Sequence, residues 1–321
     1  MGIIAIARGF FAALAMLASA GTIFRAEAAP ISWRISKTEW TAADEKRFGD
    51  FVRTIAESGC KTTVECMKGP GNPYRGSDPA GLTFHADCAK WIYMLRAYYA
   101  WKNGLPFSYV DKIAGKGTDI RFSQSSNHAL SRHDLVDRGT GIAAEAALKA
   151  IHNKVWSATY RMDPVAEIPV EQDFYSPRIA PGAIHAGTVV YDINGHVAIV
   201  YDVTDDGHIL YMDAHPDQSV SRSTYGPQFG QSTAKLGGGF KNFRPLKLVG
   251  AIRRKDGTFL GGRVVLASNR EIVDYSLEQY RGNTGGAKGD GPDAQFSYNN
   301  ASLDLFEYAR AAMSGGKPPG L

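Results

Sequence analysis

Three residues in this chain of 321 could together do covalent chemistry: a cysteine at a helix start, a histidine at a strand start, and an aspartate late in the following strand. The cysteine is Cys88, in Phe84-His85-Ala86-Asp87-Cys88-Ala89-Lys90-Trp91. Asp87 reads as an N-cap. Apolar Trp91, Ile92, Leu95, Tyr98 and Tyr99 follow at helical spacing, and Asn103-Gly104 marks the end. A thiol in the first turn lies among unpaired N–H groups at the positive end of the helix dipole, where a thiolate is favoured. The same N–H groups could stabilise an oxyanion formed after attack on a carbonyl.

The base should be a histidine on a rigid element. His196 opens a predicted strand directly after Asn194-Gly195, the strongest short hairpin signal. Regular pairing across a turn at 204–207 would set 196 opposite 215 and 198 opposite 213, so His196, Asp213 and His215 share one side of a sheet. Asp213 is then a diagonal neighbour of His196. Nucleophile, base and acidic orienter together follow the logic of a catalytic triad. His215 competes for the third role; a carboxylate better stabilises a developing imidazolium, which favours Asp213. His85-x-x-Cys88 with His196 or His215 could instead ligate zinc, but no second pair closes a tetrahedral set, so no metal is expected.

The three cysteines sort by position. Cys60 and Cys66 lie close together on a polar stretch and can bridge, which leaves Cys88 as an unpaired thiol to be buried or used. The first 28 residues read as a signal peptide: positive charge at Arg8, an apolar run from Gly9 to Gly21, and a small-x-small site at Ala26-Glu27-Ala28. The alternative is an uncleaved anchor, but the run is short for a bilayer and no later stretch approaches it. The mature chain is therefore expected to be periplasmic or secreted, with no transmembrane segment. Cleavage removes Arg8, Arg25 and Glu27 from a chain of formal charge +4. The mild balance that remains does not suggest a nucleic-acid partner.

Residues 29–69 form a lead-in with a helix expected over 42–57, where Thr41 and Asp44 precede Phe48, Phe51, Val52 and Ile55. Residues 69–82 are loop by composition. Residues 105–180 show no clear period apart from an Ala-rich helix within 142–156, and are expected to form an inserted lobe. Thr188–Ile193, His196–Val203 and Ile209–Ala214 read as a three-stranded antiparallel meander. Leu246–Arg253 and Gly262–Ala267 add strands around the Asp256-Gly257 turn. Residues 282–321 read as a flexible tail with a short helix over 302–313. The chain is thus expected to be α+β, with residues 70–281 as its main domain.

Three segments carry a resemblance. Pro73-Tyr74-Arg75-Gly76-Ser77-Asp78-Pro79-Ala80-Gly81, Asp87-Cys88-Ala89 and Gly195-His196-Val197-Ala198-Ile199-Val200 resemble the NlpC-type cell-wall cysteine peptidases. The resemblance covers roughly residues 70–105 and 185–215. It implies a papain-like core in which a nucleophile-bearing helix packs on an antiparallel sheet, with Cys88 as nucleophile and His196 as base. It also implies that Tyr74, with Asp87, belongs to the substrate and oxyanion region. No cofactor is implied, and the substrate would be the stem peptides of peptidoglycan or another peptide. Lys90 stands where the family usually has glycine. An aspartate in the third position leans toward other papain-like branches, including transglutaminase-like enzymes. The expected activity is cleavage of an amide bond; the alternatives are acyl transfer on the same triad, or a non-catalytic envelope-binding module.

Overall fold

The computed structural model describes residues 31–165, 170–284 and 290–315. The segment read as a signal peptide lies outside them. Helix α1 (Ala42–Glu57) starts at a reciprocal cap, in which Thr41 accepts the Asp44 N–H and Asp44 accepts the Thr41 N–H. Helix α2 (Thr63–Lys68) is capped by Thr62. Helix α3 (Cys88–Lys102) opens at Asp87, whose carboxylate accepts the Lys90 N–H at 3.0 Å. It is apolar nearly all round and is buried accordingly: Trp91, Ile92, Tyr93, Leu95, Tyr98 and Tyr99 have no exposed surface. Arg96 fastens α3 to α1 through two 2.6 Å hydrogen bonds to Glu45, with its guanidinium 3.4 Å from the centre of the Trp40 ring.

The segment expected as an inserted lobe contains β1 (Phe107–Ala114), β2 (His128–Leu135) and α4 (Ala144–Lys154). The two strands pair antiparallel with irregularities around Lys112. Leu105, Phe107, Tyr109, Ile151, Val155 and Tyr160 join the apolar cluster around α3, so this segment shares the main core.

The sheet is built from β3 (Phe174–Tyr175), β4 (Val189–Asp192), β5 (His196–Val203), β6 (Ile209–Ala214), β7 (Val220–Thr224) and β8 (Gly239–Phe243). Its order is β3-β8-β4-β5-β6-β7, antiparallel throughout. The expected meander is its centre. Side chains alternate between two buried faces: Val189, Tyr191, Val197, Ile199 and Met212 join the α3 cluster, while Val190, Ala198, Val200, Ile209 and Tyr211 form a second cluster.

Strands β9 (Leu246–Val249), β10 (Ile252–Arg253), β11 (Phe259–Leu260) and β12 (Arg263–Leu266) pair as β9 with β12 and β10 with β11, around the Asp256-Gly257 turn. Helix α5 (Glu278–Arg281), strands β13 (Phe296–Tyr298) and β14 (Ala301–Leu303), and helix α6 (Leu305–Met313) complete the fold. The tail expected over 282–321 requires correction: its helix is present as α6, but residues 290–313 are built into the molecule. Phe296, Leu305, Tyr308, Ala309 and Met313 are buried in the second cluster. The sheet is apolar on both faces, and this segment supplies the cover for the second. Helices beside antiparallel sheets make the chain α+β. No described helix is long and apolar enough to cross a membrane.

Candidate active site

Strands β5 and β6 bring His196 and Asp213 together: His196 Nε2 lies 2.5 Å from Asp213 Oδ2. Their shared face is reached by a different route from the one expected. The connection runs over 204–208, one residue longer than the four-residue turn, so β5 and β6 first pair as Val203↔Ile209 and Asp202↔Leu210. A bulge at Tyr201 restores the phase, and the pairs beyond it are Val200↔Tyr211 and Ile199↔Met212. Continuing that count sets 198 opposite 213 and 196 opposite 215, the relation expected from regular pairing.

Asp213 is fixed from its other side by β7. Ser221, its direct partner in the β6–β7 ladder, donates its hydroxyl to Asp213 Oδ1. His215 stacks parallel to His196 at 5.8 Å between ring centres and bonds Ser221 Oγ at 3.2 Å. Its Nε2 is 3.9 Å from Asp213 Oδ1. The aspartate, rather than His215, therefore orients His196, and His215 stands behind it. Ser221 was not foreseen, because its role depends on a short polar strand, Val220–Thr224, that lacks an apolar alternation.

Cys88 is partly buried and is the free cysteine; Cys60 and Cys66 form the expected disulfide. Its Sγ lies 3.9 Å from the carbonyl oxygen of Gly195, in the turn that leads into His196. Gly195 has φ +93°, which a residue with a Cβ rarely adopts. A Cβ there would also touch the Phe122 ring at 3.5 Å and Ser157 Oγ at 3.6 Å. With Nε2 committed to Asp213, Nδ1 is the nitrogen left to serve the thiol.

The electrostatics follow from this contact. Burial alone would lower the basicity of His196, but its hydrogen bonds to Asp213 and Cys88, with the charges of both partners, push its pKa up to about 10. Asp213 shows the converse balance. Burial disfavours its charge, yet hydrogen bonds from His196 and Ser221 hold its carboxyl below the usual carboxylate range. The imidazole is thus held as imidazolium at neutral pH, facing the sulfur.

Two expectations about the neighbourhood need restating. Tyr74 does not line the site. Its hydroxyl pairs with Asn103 at the far end of α3, and its ring packs on Phe51, Tyr98 and Tyr99. A helix of this length separates the two ends by roughly 20 Å. Asp87 is at the site as a cap, and it also holds the ammonium of Lys90 at 2.6 Å. Lys90 is thereby folded back onto the cap. His85 pairs with Gln218, and the described residues contain no cluster of three or more metal-ligating side chains.

One wall of the site comes from the 105–180 segment. Buried Asn127 donates to the carbonyls of Ile120 and Ala158, at 2.8 and 2.9 Å, which ties two short helical turns together. Buried Arg161 donates to Ser123 O at 2.7 Å and to Ile193 O at 2.8 Å, fastening that wall to the β4–β5 turn. Beside it, between α3 and α4, a groove of about 450 Å³ is lined by Lys90, Met94, Lys149, His152 and Val155, with His85 at its rim. Comparison of the chain with models of protein families, with curated proteins and with solved structures finds no match in any of the three.

Proposed function

We propose that this chain is an exported, papain-like cysteine hydrolase that cleaves an amide bond, with the stem peptides of peptidoglycan as its substrate. The observation that carries the reading is the line Asp213–His196–Cys88, with its sulfur at the start of a long buried helix. The Cys88 thiolate attacks the carbonyl carbon and a C–S bond forms. The negative charge that develops on oxygen is met by the N–H groups of the first turn of α3, Cys88 N–H among them. His196 then gives its Nδ1 proton to the amide nitrogen, the C–N bond breaks, and the amine leaves. Water attacks the thioester carbonyl as His196 takes its proton, and the C–S bond breaks to release the acid and return the thiolate. Asp213 keeps the imidazole oriented and stabilises its charge throughout. The reaction needs no cofactor.

An aspartate in the orienting position also favours acyl transfer, in which an amine replaces water in the second step. The test is incubation of residues 29–321 with peptidoglycan fragments, with and without added amine, read by mass spectrometry against Cys88→Ala. Cleaved fragments that require Cys88 support hydrolysis, and an amine adduct supports transfer. Unchanged fragments with folded protein remove the enzymatic reading.

A further inference from the structure

We propose that Phe122 and Trp156 form a saccharide-binding subsite beside Cys88, so that the substrate presents a pyranose ring next to the amide bond under attack. The position of the sugar relative to that bond rests on the hydrolase reading above; the binding of the sugar does not.

Among the described residues, Phe122 and Trp156 are the only exposed Phe, Tyr or Trp side chains, at 49% and 39% exposure. Every other described aromatic is at least partly buried, most of them deeply. Scattered apolar side chains on a surface need no special cause, but the two turns that carry these residues meet at Gly195. Phe122 ring atoms lie 3.5 and 3.7 Å from the position of a Cβ on Gly195, and Ser157 lies 3.6 Å from the same point. The Gly195 carbonyl lies 3.9 Å from the sulfur. Trp156 stands in the chain between Ser157, which meets Gly195, and Val155, which lines the groove between α3 and α4. The two turns that carry the rings are fixed by the buried Asn127 and Arg161 rather than left loose. A rigid wall that keeps its aromatic rings in water beside a reactive thiol is pre-organised for contact with a ligand.

The surroundings select the ligand class. The exposed chain neighbours of the rings are Arg121, Gln124, Asn153 and Lys154, none of them apolar. Arg121 is ion-paired with Asp119 and has its guanidinium 5.5 Å from the Phe122 ring centre. A lipid or an apolar peptide would require a continuous apolar patch around the rings. A pyranose offers a C–H face for an aromatic ring and a rim of hydroxyls that both donate and accept hydrogen bonds. Single rings whose exposed chain neighbours carry amide, ammonium and guanidinium groups complement that combination.

Trp156 also provides the probe, since Trp33, Trp40, Trp91 and Trp101 are buried. In Cys88→Ala protein, which allows no turnover, chitotetraose should shield tryptophan fluorescence from iodide. Shielding should be lost in Cys88→Ala/Phe122→Ala, and iodide should lose its target in Cys88→Ala/Trp156→Ala. With catalytically intact protein, Phe122→Ala and Trp156→Ala should each raise KM about two- to tenfold for a sugar-bearing substrate, the range expected of one ring contact. Both should leave kcat, and KM for the sugar-free peptide, unchanged. Trp156→Phe should restore most of the loss, and circular dichroism checks that each variant folds. The proposal is overturned if chitotetraose gives no shielding with folded protein, or if a phenylalanyl dipeptide amide shields and the saccharide does not. It is equally overturned if KM rises as much for the sugar-free peptide. Shielding by chitotetraose in a protein that cleaves no fragment would uphold the subsite and remove the hydrolase reading.

Discussion

The two ends of α3 are finished in opposite ways. At the C-terminal end the protein meets its own polar groups: Asn103 N–H donates to the carbonyls of Tyr99 and Ala100, and its side-chain amide donates to Tyr99 O and to the Tyr74 hydroxyl. Gly104 N–H takes the Trp101 carbonyl, and Lys102 is paired with Asp78 at 2.6 Å. At the N-terminal end Asp87 satisfies the Lys90 N–H, while the N–H groups of Cys88 and Ala89 have no acceptor among the described residues. Every helix leaves such groups, and a protein can satisfy them itself or leave them to a ligand. Here one end is closed by protein, and the other is left open beside the one free thiol.

The largest effect should come from breaking the open end. Cys88→Ala should lower the cleavage rate on the order of 10⁴-fold or more, with thermal unfolding essentially unchanged, since a partly exposed thiol is not a core element. Appreciable turnover by that variant would remove Cys88 from the chemistry. Asp213→Asn should follow, with a kcat loss of about 10²–10⁴-fold and the His196–Cys88 contact retained.

The pH profile sharpens the same assignment. In the proposed reaction His196 must be protonated to deliver its proton, and its pKa is raised to about 10, so the rate should fall as pH rises through about 10. In Asp213→Asn the limb should move to lower pH, because the carboxylate hydrogen bond is among the effects that hold the imidazolium. A limb that stays in place would exclude Asp213 from that role. Stability has its own sign. The raised pKa of His196 contributes stability that is complete below about 6.5, the unfolded value, and is lost as pH climbs from there through about 10. The depressed pKa of Asp213 contributes stability present above the ordinary carboxylate range and lost as the solution is made more acid.

The smallest effects compare the two caps directly. Asp87→Ala should cost about 1 kcal/mol in denaturant unfolding and should also lower the rate, because it loosens the turn that carries the sulfur. Tyr74→Phe removes the hydroxyl that pairs with Asn103 at the closed end and should cost about 0.5–1.5 kcal/mol with kcat unchanged. A large loss of kcat in Tyr74→Phe would contradict the separation of the two ends.

The parts legible in sequence were those whose signals are local. Thr41 with Asp44, Asp87 with the apolar run behind it, and Asn194-Gly195 between Val- and Ile-rich strands each specify an element within a few residues. Strands β7 and β8 were not legible: Val220–Thr224 is mostly polar, and Gly239–Phe243 is short and holds a buried lysine, Lys241. The β1–β2 hairpin was missed because a long connection over 115–127 replaces a tight turn. Tyr74 was misplaced for a different reason: its assignment came from resemblance, and nothing in its own neighbours pointed to the thiol. Ser221, Arg161 and Asn127 act across elements distant in the chain, so only the assembled sheet reveals them.

The single extra residue at Tyr201 decides whether Asp213 and His196 share a face of the sheet. Were β5 flush with its neighbour, Asp213 would fall opposite Ile199, and carboxylate and imidazole would look away from each other through the sheet. What must be kept between Val203 and Ile209 is therefore not a particular loop: a shorter one that leaves those two residues paired is tolerable only if the kink at Tyr201 stays.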